Sequence, residues 1–332
     1  MKIYFILTAI LYLIMLISSA IPLFLPTNST ENKEVQAVVQ SAVASTSDTG
    51  ITTEAIESIS VFKTTDQSVS DVDIIDYVCG SLAAEMPLSF HDEALKAQAV
   101  ACYSFALWIK NNADNPQNEF ADITDNPYTH QGYLDKSQLK EKWGDEYSKN
   151  YNKIEQIVKS VSGQYLSYDN EPIMAVYHSL STGQTESAEN AWGNDVPYLT
   201  STTAPGDKLS PEYQSSVTLT LKQLEEKVQK SKNIKFNLKT EPIGKIEKTE
   251  SGYIKSAEIY SVVIDADELR TLLGLKSPFF TIKETDNNIS FTVYGHGHGV
   301  GMSQYSADYM ARQGSNYKEI LNHFYKGATL SD

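Results

Sequence analysis

Residues 71–108, DVDIIDYVCGSLAAEMPLSFHDEALKAQAVACYSFALW, contain two helical patterns separated by a proline, and this arrangement decides the fold. Apolar residues recur every three or four positions in the first half, which predicts a helix with aspartates on its opposite face. Pro87 ends that helix. Ser89, followed three residues later by Asp92, resembles the cap of a second helix, whose small apolar residues continue to Trp108. Two helices are therefore expected to meet at the short corner EMPLSF.

The rest of the chain changes from helical to strand-like patterns and back. Residues 137–162 predict a further helix that stops at Gly163. Strand patterns then follow in six segments, namely GQYLSY (163–168), IMAVYHS (173–179), SVTLTL (216–221), AEIYSVVI (257–264), FFTI (279–282) and ISFTV (289–293). The chain ends with helical patterns in SQYSADYMARQ and NYKEILNHFY. The expected fold class is α+β, with helices at both ends of one mixed domain and an antiparallel β region between them.

The first residues form an apolar segment without charge. Residues 3–25 contain no charged side chain, and about 20 apolar residues suffice to cross a bilayer as a helix. A cleaved signal peptide is the alternative, with Ser18 and Ala20 at its small-residue positions, but the apolar run continues beyond them and favours a retained transmembrane helix. The expected organisation is a membrane anchor (or signal) at 1–26, a flexible linker at 27–58 and the mixed domain at 59–332.

The charge balance excludes one broad class of partner. The chain of 332 residues has 27 Lys and Arg against 42 Asp and Glu, a net charge of -15. So acidic a protein is poorly suited to bind nucleic-acid phosphates, whereas a neutral or weakly charged polysaccharide needs no charge steering. The two cysteines, Cys79 and Cys102, fall in apolar helical patterns, where free thiols behave as small hydrophobes, although one disulfide remains an alternative.

Glu85 is the first candidate for a catalytic residue. It lies three residues beyond Leu82 on the face of its helix that should be apolar. Burial would raise the pKa of a carboxyl group there and keep it protonated, as a general acid requires. The alternative is that Glu85 turns outward at a frayed helix end. Glu93, in the first turn of the second helix, is a rival, but the helix dipole already explains a negative charge at that position.

The glycine-rich stretch YGHGHGVGMSQYS, residues 294–306, raises three interpretations. A phosphate loop is disfavoured because no lysine follows the glycines and the spacing is not that of a dinucleotide site. A metal site would use His296 and His298, with a third ligand such as His178 or His130 from elsewhere. The favoured interpretation is steric, since glycines let a backbone pass close to another segment or a ligand.

Residues 177–201, YHSLSTGQTESAENAWGNDVPYLTS, combine hydroxyl and amide groups with aromatic rings. Sugars are bound by such mixtures, although an ordinary polar surface loop is the plainer alternative. A serine hydrolase using Ser179 or Ser181 with His178 is disfavoured because no nucleophile-elbow pattern is present.

Three stretches, in this order, resemble the motifs of the stage II sporulation protein D and amidase-enhancer family. They are EMPLSFHDEALKAQAVA (85–101), AVYHSLSTGQTESAENAWGNDVPYL (175–199) and GHGHGVGMSQYSADYMARQGSNYKEILNHFYKG (295–327), and ELRTLLGLKSPFF (268–280) adds to the resemblance. The similarity extends from about residue 60 to the end.

The resemblance implies a lytic transglycosylase that cuts peptidoglycan glycan strands stripped of their stem peptides, with Glu85 as the catalytic acid and then base. It also implies anchoring in the mother-cell membrane through the N-terminal helix, facing the intermembrane space during engulfment, beside a cell-wall amidase and other membrane-anchored engulfment proteins. The substrate-binding or supporting residues that the motifs indicate are Glu93, Lys96, Tyr177, Ser179, Ser181, Thr182, Gln184, Glu186, Trp192, His296, His298, Ser303 and Gln304.

The sequence departs from the family pattern at three places. Tyr103 stands where the family usually has arginine, and Tyr305 with Ser306 replaces a frequent Trp-Gly pair. Some sporulation members hold zinc in the segment equivalent to 120–140, but that segment here has His130 and no cysteine, so no metal or cofactor is expected. A non-catalytic glycan-binding module that recruits or stimulates an amidase, and a metal-dependent hydrolase, remain the alternatives.

Overall fold

The computed structural model describes residues 56–112, 120–233 and 241–332. In this part of the chain the α-helices are α1 Ile74–Glu85, α2 Asp92–Asn112, α3 Lys136–Trp143, α4 Tyr147–Ser160, α5 Ala188–Trp192, α6 Leu221–Lys232, α7 Ala266–Leu273, α8 Gln304–Arg312 and α9 Tyr317–Phe324. The strands are β1 Ser58–Lys63, β2 Ser68–Asp73, β3 Ile123–Thr124, β4 Tyr165–Tyr168, β5 Glu171–Pro172, β6 Tyr177–His178, β7 Gln214–Thr220, β8 Ile243–Lys248, β9 Ile254–Ile259, β10 Val262–Asp265, β11 Phe280–Glu284, β12 Asn288–Tyr294, β13 Met302–Ser303 and β14 Thr329–Ser331.

The corner between α1 and α2 forms as its sequence dictates. The Asp73 side chain accepts hydrogen bonds from the backbone N–H groups of Ile75 and Asp76 and starts α1. Met86 is already extended, as the residue before a proline should be, so α1 ends at Glu85. The Ser89 cap was wrong in detail, since α2 starts at Asp92 and the imidazole of His91 accepts the N–H of Glu93 at 3.2 Å.

The strands form five small sheets in the described residues. The orders are β2-β1-β3, β10-β9-β8, β11-β12-β7, β13-β6 and β14-β4-β5. Most neighbours are antiparallel, but β1 pairs with β3 and β6 pairs with β13 in parallel. The second parallel pair, two residues long, joins the polar 177–201 segment to the glycine-rich stretch.

Two separate hydrophobic clusters hold these elements together. The larger one packs α1, α2, α4, α8 and α9 around fully buried residues such as Leu82 and Leu95. The smaller one joins α6 and α7 to the sheets of β7 to β12 through residues such as Leu269 and Phe291. Burial of these side chains is the main stabilising contribution to each cluster.

These features correct the predicted architecture. Helices are interleaved with strands along a mixed α/β chain, instead of being confined to its two ends. Thr220 and Gln223 form a capping box that starts α6 inside the segment expected to contain only strands, and α7 lies there too. The helix predicted for 137–162 is two helices, because Gly144 adopts a φ of 50° that no helix interior allows.

The predicted membrane helix is also corrected. No helix in residues 56–112, 120–233 or 241–332 is both long and apolar enough to cross a membrane. That finding contradicts a fold headed by a transmembrane helix and a membrane-anchored localisation. The apolar segment 3–25 itself, and the predicted linker up to residue 55, lie outside the described residues.

Candidate active site

Glu85 is the last residue of α1 and lines a cavity of about 590 Å³. One of its carboxyl oxygens accepts a hydrogen bond from the backbone N–H of Gly132 at 2.5 Å. A Cβ on residue 132 would lie 2.8 Å from the Glu85 Oε1, so glycine is the residue that permits this approach. Burial raises the pKa of the Glu85 carboxyl, and the Gly132 hydrogen bond opposes that rise only in part. The protonated form is therefore favoured to higher pH than in an exposed glutamate.

Two other carboxylates line the same cavity, but each faces a cation. Asp267 accepts from Arg270 Nη1 at 3.2 Å, and Glu212 lies 3.6 Å from Lys276 Nζ. Among the described residues Glu85 has no such ion pair. Glu85 is therefore the one of these three acids without a neighbouring cation among the described residues, and it is the one whose pKa burial raises.

A buried polar network supports the wall behind Glu85. The amide of Gln131 donates to the Tyr77 hydroxyl at 2.7 Å and to the Cys102 carbonyl at 3.1 Å. Tyr177, which lines the cavity, donates its hydroxyl to Gln131 Oε1 at 3.0 Å. Burial raises the pKa of Tyr177 well above its usual value, so its phenol stays neutral. The network therefore fixes one aromatic face of the cavity without adding charge beside the acid.

The glycine-rich stretch 294–306 confirms the steric interpretation. Its backbone runs against the segment that contains β6, with bridges from His296 to Leu180 and from Val300 to Glu186. Gly301 has a φ of 72°, and a Cβ there would lie only 2.0 Å from the Val176 carbonyl oxygen. This close approach brings His296 and His298 into the lining of the cavity that contains Glu85, as expected.

The histidines of this stretch are held neutral. Burial lowers the pKa of His298 to about 3, with a smaller contribution from the positive charges around it. Its ring lies 5.3 Å from the Trp192 ring, between centroids, and 5.8 Å from that of His178. His178 has its Nδ1 3.0 Å from the Val300 carbonyl, which can only accept, so this nitrogen carries the proton. The rings of His178, His298 and Trp192 form a largely uncharged wall.

The part of the chain that the structure describes contains no set of residues that could bind a metal ion. No group of three or more His, Cys, Asp or Glu residues is close enough to hold one there. His130 uses its Nδ1 to accept the N–H of Thr124 at 3.0 Å, and burial lowers its pKa to about 4. Cys79 and Cys102 are both buried free thiols.

Five of the residues predicted to support substrate binding form internal contacts outside the cavity lining. Buried Asp207 organises two of them, since it accepts from the Ser181 N–H at 2.6 Å and the Ser303 hydroxyl at 2.6 Å. Ser306 donates to the same carboxylate at 2.7 Å. The others are Thr182, which donates to the Gln184 carbonyl, Gln184, whose amide donates to Ser201, and Glu186, which accepts from the Ser187 N–H and from Asn190. A substrate contact for these residues stays a prediction.

Glu93 and Lys96 also lie outside that lining. They form an ion pair at 2.7 Å, and Glu93 accepts the N–H of Tyr317 at 2.8 Å, which ties α2 to the start of α9. Tyr103, in place of the family arginine, packs beside Ile74 and Val158 in a separate small cavity. None of these three side chains reaches the cavity of Glu85.

The cavity brings together the other predicted residues and several that sequence reasoning missed. Tyr177, Ser179, Trp192, His296, His298 and Gln304 line it with Glu85. The lining residues not singled out as site residues include Phe90, Pro127, Tyr128, Pro211, Glu212, Asp267, Arg270 and Tyr305. Gln131 and Gly132 were also missed, because their roles depend on contacts across more than 40 residues of chain. Arg270 could have been noticed in the sequence, because it is the only cationic residue of the ELRTLLGL segment.

The site belongs to a recognisable class: a cavity lined by aromatic and polar side chains in which one of three acidic residues, Glu85, has a raised pKa and no ion pair among the described residues. The chain belongs to the stage II sporulation protein D family. The family model described as stage II sporulation protein matches residues 62–168. The chain is 37% identical to stage II sporulation protein D of Bacillus amyloliquefaciens, over 84% of this chain and 80% of that protein.

Two further relatives agree with this assignment. Stage II sporulation protein D of Bacillus subtilis (strain 168) is 36% identical over 91% of this chain and 88% of its own length. The amidase enhancer of the same strain is 26% identical over 76% of this chain, and the match covers 40% of that protein.

Proposed function

We propose that the protein is a peptidoglycan lytic transglycosylase, which cleaves the bond between N-acetylmuramic acid and N-acetylglucosamine and leaves a 1,6-anhydro end. The observation that carries the proposal is Glu85, a carboxyl with a raised pKa and without an ion pair among the described residues, in a cavity of about 590 Å³ lined by aromatic and polar side chains. Aromatic rings of Trp192, Tyr128 and Tyr305 in that cavity offer faces for pyranose rings.

The proposed reaction uses one residue twice. Protonated Glu85 gives its proton to the glycosidic oxygen as the bond to muramic C1 breaks, and N-acetylglucosamine leaves with a free hydroxyl. The Glu85 carboxylate then takes the proton of the muramic 6-hydroxyl while O6 bonds to C1. The acid is restored, and no water enters the product, unlike in two-carboxylate glycoside hydrolysis. The Gly132 N–H supports the carboxylate form between the two steps.

The test is a digest of purified glycan strands by the full chain, with the ends identified by mass spectrometry. Anhydro-muramic ends, lighter by one water than reducing ends, are expected even when the reaction is run in ¹⁸O-water, which labels hydrolysis products alone. Products that carry the label would show a hydrolase, and glycan binding without cleavage would show a non-catalytic module.

We infer a role in sporulation together with a cell-wall amidase, because close relatives carry the names stage II sporulation protein D and amidase enhancer. If this is right, glycan that an amidase has treated first should be cleaved faster than untreated glycan. Equal rates on the two substrates would contradict the coupling to an amidase.

A further inference from the structure

Arg270 is the one permanently cationic side chain among the described residues that line the Glu85 cavity. Glu85, Glu212 and Asp267 line the same space, in a protein whose net charge is -15. Arg270 is therefore the described lining residue best suited to bind an anionic group.

The guanidinium of Arg270 is only partly used by the protein. Its Nη1 donates to Asp267 at 3.2 Å in a single hydrogen bond, whereas arginine and carboxylate often pair through two. Its Nε is buried and has no hydrogen-bond partner among the described residues. A buried donor without an acceptor is unfavourable, and an anion that binds the guanidinium would supply an acceptor.

The position of Arg270 is rigid. It lies on α7, whose neighbouring residues Leu269 and Leu273 are buried in the smaller hydrophobic cluster. Its positive charge is also close enough to lower the pKa of His296 and His298, after the larger effect of burial. Arg270 lines the same cavity as the two histidines.

The chemistry of the proposed substrate supplies one matching anion. Muramic acid carries a lactyl group on C3, whose carboxyl is an amide while the stem peptide is attached and a free carboxylate once the peptide is removed. We propose that Arg270 binds this free lactyl carboxylate, and so makes the cavity selective for glycan that has lost its stem peptides. This inference rests on the proposed function, and it assigns Arg270 as a specificity-determining residue.

The experiment compares three glycans, each incubated with the full chain and with Arg270→Gln. One glycan is stripped of peptides, the second is the same glycan with its lactyl carboxylates methyl-esterified, and the third retains its stem peptides. The wild-type kcat/KM should be about 10- to 100-fold higher on the stripped glycan than on the ester, the range for a hydrogen bond to a charged group. Arg270→Gln should remove that preference and leave cleavage of the ester nearly unchanged.

Two further variants separate recognition from loss of structure. Lys276→Gln removes a positive charge next to the cavity but outside its lining, and it should keep the preference of the wild type. Arg270→Lys keeps the charge and should restore part of the preference. If Arg270→Gln lowers kcat/KM equally on the stripped glycan and the ester, the proposal is overturned and Arg270 has a structural role. If the loss is confined to glycan with stem peptides, the anion is a peptide carboxylate and the proposal is likewise overturned.

If the protein is not a lytic transglycosylase, the cleavage assay would give a different result. In that case no glycan would give anhydro ends with the wild type, while equilibrium binding would still report on Arg270. Soluble stripped fragments and their methyl esters should then bind with the same 10- to 100-fold difference, and Arg270→Gln should abolish it. Equal affinity of the wild type for both fragments would refute the lactyl contact whether or not the chain cleaves glycan.

Discussion

Replacing Glu85 with glutamine removes the proposed acid with almost no change in shape. The amide oxygen of the introduced side chain can still accept from the Gly132 N–H, and the cavity keeps its volume. What is lost is the proton that the buried carboxyl holds. The two remaining acidic residues of the cavity, Glu212 and Asp267, are each engaged in an ion pair.

The size of the effect follows from the double role. Loss of one general acid or base usually costs about 10²- to 10⁴-fold in rate. Since Glu85 serves first as acid and then as base, we expect kcat to fall by at least about 10⁴-fold, which is about 5.5 kcal/mol of transition-state stabilisation. Binding of stripped glycan should change by less than about threefold, because glutamine fills the same space.

The assay measures release of anhydro-muramic ends, with Glu93→Gln as the matched control. Glu93→Gln makes the same glutamate-to-glutamine change one helix away, outside the cavity lining, so this variant should retain activity within about twofold. Its stability should fall by about 1 kcal/mol, as the ion pair with Lys96 and the Tyr317 hydrogen bond weaken. A Glu85→Gln protein with more than a tenth of the wild-type activity would refute the assignment of Glu85.

The pH dependence gives a second test of the same residue. Burial raises the pKa of Glu85 in the folded state, so its contribution to stability is full below the unfolded pKa and is lost as pH rises through the folded value. Wild type and Glu85→Gln should unfold at similar temperatures in acid, and the glutamine variant should become the more stable one as pH rises. The wild-type kcat/KM should decline over the same range. A stability difference that does not depend on pH would mean that Glu85 is not buried as a neutral acid.

Two further changes test the walls of the cavity. Trp192→Ala should weaken binding of stripped glycan by about tenfold or more in calorimetry, because it removes a large aromatic face from the lining, and unchanged affinity would contradict a sugar contact. Gly301→Ala should lower the free energy of unfolding by well over the about 1–3 kcal/mol expected from its positive φ alone, since the new Cβ would overlap the Val176 carbonyl. Gly314→Ala is the control for the second change, because Gly314 has a φ of 101° but nothing within 4 Å of a Cβ, and equal losses in the two variants would refute the steric role of the loop.

Sequence patterns predicted those parts of the site that depend on local spacing. Glu85 was reached from its position three residues after Leu82, because a helix places such residues on one face. The close approach of the glycine-rich loop to another segment was predicted from the composition of residues 294–306. Both inferences require only neighbours in sequence, and the structure places both features on the same cavity.

The parts that sequence could not predict depend on partners far along the chain. The hydrogen bond from Gly132 to Glu85 joins residues 47 apart, and no local sequence pattern predicts it. The polar segment that begins at Tyr177 looked like a sugar-binding surface, yet the backbone N–H of Ser181 in that segment donates to the buried side chain of Asp207. Ser303 of the glycine-rich stretch donates to the same side chain. A buried carboxylate must be satisfied by nearby donors, and that demand outweighs what composition alone suggests.

The two hydrophobic clusters have a consequence for how the family can diversify. The acid and its Gly132 partner lie within the family match at residues 62–168 and are packed by the larger cluster, whereas Arg270 lies beyond that match and is packed by the smaller one. The proposed proton donor and the proposed specificity residue are therefore placed by separate hydrophobic clusters. Substitutions in the core around Leu269 and Phe291 are expected to change glycan selectivity without moving Glu85, which offers a route to variants of altered specificity.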